Sequence, residues 1–256
     1  MEFCKTEVDG HVLTVTINRP EVMNALHSPA HWELDKVWND FEADDNLWVA
    51  IVTGAGDKAF SAGNDLKWQA QGGEMSRPDS GFAGLATRWT MEKPLIAAVN
   101  GLAMGGGFEV ALACDVIIAA ENAFFALPEP RVGLAALAGG LHRLPRVVPM
   151  KQAMGMILTG RRVMAEEGYR MGFVTEVAPA GGALDAAKAF AAQIEECSPV
   201  SIRTSKDVVT RGLFHPSVQE AMSAEYESVA RLRGSEDFIE GPLAFSEKRK
   251  PNWKGR

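Results

Sequence analysis

Cysteine is scarce. Cys4, Cys114 and Cys197 are odd in number and far apart, and they form neither a disulfide framework nor a CxxC metal pattern. A reducing compartment is therefore expected, and the chain is read as cytoplasmic and without a metal site. Positive charge is also in short supply: 26 Lys and Arg against 33 Asp and Glu leave a formal net charge of −7. That balance excludes a broad basic face of the kind nucleic acids require, although a few local cations could still hold an anionic small ligand. No clean membrane span is present either. The most apolar long window, Gly101–Ala120, carries Glu109 and Asp115, and a span would bury both charges. The opening residues Met1–Glu7 lack the apolar run of a secretion leader. What remains is ordinary globular material, with 46% hydrophobic and 23% charged residues in 256. That suffices for one large α/β domain or one domain with a small appendage.

Residues His11–Asn18 alternate in the manner of a half-buried strand, and Asn18-Arg19-Pro20 ends it. Ser28–Asp40 spaces Leu34, Val37 and Trp38 at helical intervals behind a Ser-Pro start. Trp48–Thr53, Leu95–Val99 and Val116–Ala120 read as buried strands, and Gly106–Ala113 as a short helix between the last two. Beyond them the pattern turns helical. Ala183–Glu196, Val200–Arg211, Ser217–Arg233 and Ser235–Phe245 are predicted helices, followed by a basic, proline-interrupted tail. The chain thus divides into a βα core over residues 1–195 and a helical region over 196–256. No sequence repeat is evident, although strand–strand–helix units could repeat without sequence similarity.

Two glycine clusters mark the places where chemistry is expected. Gly54-Ala55-Gly56-Asp57-Lys58-Ala59 fits a loose dinucleotide pattern. A dinucleotide turn opens directly into a long helix, however, whereas Phe60-Ser61-Ala62-Gly63-Asn64-Asp65 follows here. The favoured reading is a strand, a turn and an irregular loop that ends at a helix start near Asp65 and leaves backbone N–H groups free. Asp65 taken alone is an ordinary helix cap. The second cluster, Gly105-Gly106-Gly107, follows a buried strand and sets Glu109 in the first turn of a helix. Three glycines in a row cost chain entropy, so the backbone there needs unusual dihedrals or a close approach. Glu109 in isolation reads as a stabilising helix-start acid. Glu129 sits between Pro128 and Pro130 after an apolar stretch, where a carboxyl is either paired or held protonated.

Several segments together resemble the crotonase (enoyl-CoA hydratase/isomerase) family over nearly the full chain. They are Asn18-Arg19-Pro20 with Asn24-Ala25-Leu26, Ala59-Phe60-Ser61-Ala62-Gly63-Asn64-Asp65-Leu66, Lys93–Gly101 running into the triple glycine, and Pro128-Glu129 with Gly139-Gly140. Within the family, Gly81–Leu85, Phe108–Ala113, Phe125–Glu129 and the tail from Ser235 to Arg256 are closest to the branch that handles carnitine-type acyl groups. The resemblance implies an α/β spiral of ββα units with a C-terminal helical trimerisation region, and a homotrimer or a dimer of trimers.

The resemblance also implies the site. Backbone N–H groups of Asn64 and Gly106 form an oxyanion hole for the thioester oxygen. Glu109 handles water at the β carbon and Glu129 exchanges a proton at the α carbon. Coenzyme A, the carrier of the acyl substrate, is bordered by Val22, Met23, Ala62 and Lys67, with Phe245 and Lys248 reaching a neighbouring subunit's ligand. No tightly bound cofactor is expected. Trp68, Phe82, Trp89 and Leu137 shape the acyl pocket. The chain departs from the family at Ala136-Leu137, where relatives carry Pro-Gly or Pro-Asp. Hydration or dehydration of an enoyl-CoA is the expected activity. A double-bond isomerase and a non-catalytic coenzyme A- or RNA-binding relative are the alternatives.

Overall fold

A computed structural model describes residues 1–256. Ten strands form two sheets. The larger contains β1 (Cys4–Asp9), β2 (Val12–Ile17), β3 (Val49–Gly54), β5 (Leu95–Val99), β7 (Val116–Ala120) and β10 (Glu176–Ala178), in that spatial order. Only β1 and β2 pair antiparallel; the rest of this sheet is parallel. The smaller sheet has the order β4 (Ala59–Ser61), β6 (Leu102–Met104), β8 (Phe124–Ala126) and β9 (Val163–Met164). Its first three strands are parallel and β9 runs against β8.

The central strands are buried on both faces, as parallel strands with covered faces must be. Alternate residues go to opposite sides. Ala50, Val52, Leu95, Ala97 and Val99 join the main core with α1 (Ser28–Ala43). Val49, Ile51, Ile96, Ala98 and Ile118 pack instead against Ala187 and Ala191 of α7 (Ala183–Glu195).

The site is positioned by a repeat of structure. Each of β3, β5 and β7 turns into one strand of the small sheet and then into helix: β3–β4 leads to α2 (Leu66–Ala70), β5–β6 to α3 (Gly106–Ala113), and β7–β8 to a single 3-10 turn, Glu129–Val132. The apolar window Gly101–Ala120 is therefore split into a strand, a helix and a strand of core. Because β4, β6 and β8 are parallel neighbours, the loops at their carboxyl ends lie side by side.

After Glu129 come α4 (Gly140–Val147), α5 (Met150–Thr159) and α6 (Ala165–Met171), and after α7 come α8 (Pro199–Gly212), α9 (Val218–Ser223), α10 (Glu227–Arg233) and α11 (Glu236–Ser246). The single helix expected over Ser217–Arg233 is thus two. Ala224 is extended and ends the first, and the Ala221 carbonyl accepts from the Tyr226 hydroxyl at 2.9 Å and from Ala224 N–H at 3.4 Å instead of from Glu225 N–H. The basic tail folds back: Lys254 N–H donates to buried Asp237 at 2.7 Å and Ser198 Oγ to the same carboxylate at 2.8 Å. No helix is long and apolar enough to cross a membrane.

Candidate active site

Three loops meet where the parallel strands of the small sheet end. The first, after β4, turns through Gly63 at φ +86°; a Cβ there would lie 2.6 Å from the Met104 carbonyl oxygen and 2.7 Å from the Gly106 nitrogen. Only glycine allows the two loops to approach this closely in that conformation. Leu26 pairs across the same loop, accepting from Asp65 N–H at 2.9 Å and donating to the Gly63 carbonyl at 2.7 Å. This geometry turns the intervening Asn64 N–H away from Leu26, and Asn64 N–H has no acceptor in the protein. The second loop passes Gly105 at φ +54° into α3, whose first N–H, that of Gly106, also lacks an acceptor. Asp65 is the cap expected of it, accepting from Trp68 N–H at 3.1 Å, and it also pairs with Arg19 at 2.9 Å.

Glu109 lies in the first turn of α3, only 3% exposed. Its Oε1 accepts from Gly140 N–H at 2.8 Å, at the start of α4. Burial pushes its pKa up to about 7; the Gly140 hydrogen bond opposes this, and the charge of Glu129 adds to it. Glu129, in the third loop, is also raised by burial. Its Oε2 is buried without a hydrogen-bond partner, and its Oε1 stands 3.0 Å from where a Gly105 Cβ would be. Two carboxyls with raised pKa beside unpaired N–H groups can exchange protons with a bound molecule and stabilise a developing oxyanion.

A consequence for stability follows from Glu109. Its folded pKa of about 7 lies above the ordinary 4.5, so the native chain binds the extra proton between those values. Stability therefore falls as pH rises from 4.5 through 7. Glu109→Gln removes that cost, and is expected to stabilise the protein at pH 8 by up to about 3 kcal/mol and to change little near pH 4. Denaturant unfolding at the two pH values checks this, and an equal gain at both would contradict it.

Met23 lines a cavity of about 230 Å³ with Pro20, Asn24, Gly56 and Lys58; Val22 precedes it in a 3-10 turn. Ala62 is half-buried beside Gly63, and Lys67 is exposed on α2. Phe82 is buried, with its ring against Gly106. Trp68 is half-buried and stacks edge-on with His27. Trp89 and Leu137 are 77% and 75% exposed, and it is Ala136, next to Leu137, that packs near Glu109 and Gly140. Phe245, 86% exposed, and Lys248 lie at the end of α11, which packs on α8 and α10. The glycines after β3 lead into strand β4 and no helix, so the dinucleotide pattern has no helix N-terminus behind it. Arg143 was not evident from sequence. Its guanidinium donates to the Ala86 carbonyl at 2.7 Å, stacks over Trp89 at 5.1 Å, and pulls against the rise in the Glu109 pKa. A lone arginine on a half-polar helix gives no signal of such a position.

An α/β spiral of ββα units with C-terminal helices is the crotonase architecture. The family model for enoyl-CoA hydratase/isomerase matches residues 7–256, and the chain belongs to that family. It is 44% identical to a carnitinyl-CoA dehydratase of Escherichia coli (strain K12) over 257 residues, covering 97% of each chain. Among solved structures it is similar to an enoyl-CoA hydratase from Mycobacterium marinum, at 37% identity and TM-score 0.94, and to a carnitinyl-CoA hydratase from Mycobacterium avium, at 39% identity and TM-score 0.80; coverage is 100% of both chains in each case.

Proposed function

We propose that this chain is a hydro-lyase that adds water to, or removes it from, the carbon–carbon double bond of an enoyl-CoA thioester. The observation that carries this reading is the pairing of free N–H groups at Asn64 and Gly106 with the raised carboxyls of Glu109 and Glu129. The thioester oxygen sits between the two N–H groups, and these stabilise the enolate-like charge. In the hydration direction ionised Glu109 takes a proton from water as its oxygen bonds to the β carbon. Protonated Glu129 gives its proton to the α carbon. The site ends with the proton on the other carboxyl, and exchange with solvent resets it. Two carboxyls around one water titrate as a coupled pair, and Glu109, with a pKa of about 7, becomes ionised as pH rises past neutral, which its role as base requires.

Val22, Met23, Ala62 and Lys67 border the coenzyme A in this reading, and Trp68, Phe82, Trp89 and Leu137 the acyl group. Relatives named carnitinyl-CoA dehydratase make carnitinyl-CoA and crotonobetainyl-CoA first candidates for the acyl group. Turnover of a panel of enoyl-CoA thioesters, crotonyl-CoA and crotonobetainyl-CoA among them, tests the proposal. Hydration of at least one member is expected, and double-bond migration without hydration would favour an isomerase.

The region 196–256 is proposed to assemble the chain into a trimer or a dimer of trimers. Leu213, Phe214, Val218 and Met222 are 76–83% exposed around α9, an apolar surface of the kind that marks an interface. Phe245 and Lys248 then reach the coenzyme A of a neighbouring subunit. A monomer by light scattering would contradict this.

A further inference from the structure

The Gly81–Leu85 turn takes an improbable path. Gly81, Ala83 and Gly84 all have positive φ, and Ala83 at +57° is not glycine. An alanine resists the left-handed region, so something must hold it there. Helix α1 supplies two side chains that do so. His31 Nδ1 accepts from Ala83 N–H at 3.1 Å, and Trp38 Nε1 donates to the Ala83 carbonyl at 3.0 Å. Both side chains are buried, so these bonds form away from water and leaving either unmade is costly.

The residue before Ala83 is Phe82. The His31 ring packs on the Phe82 ring at 4.4 Å between centroids. The tip of the Phe82 ring lies against Gly106, so closely that a Cβ on Gly106 would come 2.5 Å from its Cζ. A contact path thus runs from α1 through Ala83 and Phe82 to the backbone whose N–H is free. To accept a hydrogen at Nδ1 the imidazole must be neutral with its proton on Nε2. Burial lowers the His31 pKa to about 4 and keeps it so. The next residues are fixed as well: Arg88 Nε donates to the Gly84 carbonyl at 2.8 Å, and its guanidinium pairs with Asp35 and Glu42 of α1.

We infer that His31 is a positioning residue for the active site: by gripping left-handed Ala83 it seats Phe82 on Gly106, and so fixes both the Gly106 N–H and one wall of the acyl pocket. The inference rests on the enoyl-CoA reading above for its kinetic consequence, and on the contacts alone for its structural one. Plain core packing would make a different prediction, since a core histidine replaced by an apolar residue of similar size changes stability and leaves the chemistry alone.

A double-mutant cycle of His31→Leu and Phe82→Leu separates the two. Each single variant is expected to lower kcat on the best enoyl-CoA substrate about tenfold or more with KM within about threefold. The double variant is expected to be no worse than the poorer single. His31→Asn, whose side-chain oxygen can accept from Ala83 N–H, is expected to recover most of the loss. In the amide spectrum of the labelled protein, the Gly106 resonance is expected to move in His31→Leu and to stay near its wild-type position in His31→Asn. If His31→Leu does not fold, Trp38→Phe removes the donor to the Ala83 carbonyl, together with part of a buried ring, and is likewise expected to lower kcat and to move the Gly106 resonance. Losses that multiply in the double variant, or a fall in melting temperature with kcat and the Gly106 resonance unchanged, would overturn the inference. If the wild-type protein turns over no enoyl-CoA, the functional reading fails by itself, and the Gly106 resonance still decides the role of His31.

Discussion

Glu129→Gln is expected to lower kcat for enoyl-CoA hydration by roughly 10²–10⁴-fold, the range a positioned acid or base contributes, with KM within about threefold. The substitution keeps shape and removes the exchangeable proton. Glu129 Oε2 has no hydrogen-bond partner in the protein, so an amide there breaks no existing bond. Burial raises the Glu129 pKa, so the neutral amide is no harder to bury than the acid. The fold should therefore survive, and coenzyme A binding with it. Steady-state kinetics on the best substrate, beside a direct binding measurement, decide the matter; an unchanged kcat would remove Glu129 from the chemistry. Glu109→Gln separates the two catalytic readings further. A hydratase loses its activity in that variant, whereas an isomerase working through one carboxyl keeps most of it.

The second large effect is expected at Gly63. Gly63→Ala places a methyl 2.6 Å from the Met104 carbonyl oxygen and 2.7 Å from the Gly106 nitrogen, at φ +86°. The loops after β4 and β6 must move apart, and the Asn64 and Gly106 donors move with them. Loss of one well-placed donor costs about 10²–10³ in kcat. The positive φ adds a folding cost of about 1–3 kcal/mol whatever the space. Gly72→Ala is the control, since Gly72 has φ +78° and nothing within 4 Å of an added Cβ. It is expected to lower the melting temperature and leave kcat unchanged. Equal kcat losses in the two variants would show that strain, and no displacement of donors, is responsible.

Much of the fold was legible because its core elements carry strong patterns. The buried strands β3, β5 and β7 are short apolar runs closed by glycine or polar residues, and α1, α7 and α8 have clear helical spacing. The edge strand β1 was not legible. Five of its six residues are exposed, so no alternation marks it, and its pairing is set by the turn at Gly10. The break between α9 and α10 was hidden because no glycine or proline marks it: Ala224 is extended, and the Tyr226 hydroxyl bonds back to the Ala221 carbonyl.

The candidate site was legible as motifs and not as contacts. Asn64, Gly106, Glu109 and Glu129 stand in recognisable segments, and the fold sets the loops that carry them at the ends of adjacent strands. The tripled glycine has a physical reason that sequence could only suggest: Gly105 needs a positive φ, and a Cβ on Gly106 would strike the Phe82 ring. What supports these residues was beyond reach. The Gly140 N–H that bonds Glu109 is 31 residues away, and the His31 bond to Ala83 spans 52. Such pairs are fixed by tertiary packing, and neither partner is unusual in its local context. Nor does sequence separate Ala136 from Leu137: Ala136 is buried near Gly140 and Glu109, while Leu137 beside it is exposed.

The account turns on water being joined to the substrate by two carboxyls. The most direct test is the mass of the product formed, in water labelled with ¹⁸O, from whichever enoyl-CoA of the panel is turned over fastest. Wild-type protein is expected to place one labelled oxygen on the β carbon, and the Glu109→Gln and Glu129→Gln variants to place almost none in the same time. A product of unchanged mass from the wild-type protein, or full labelling by either variant, would contradict the account.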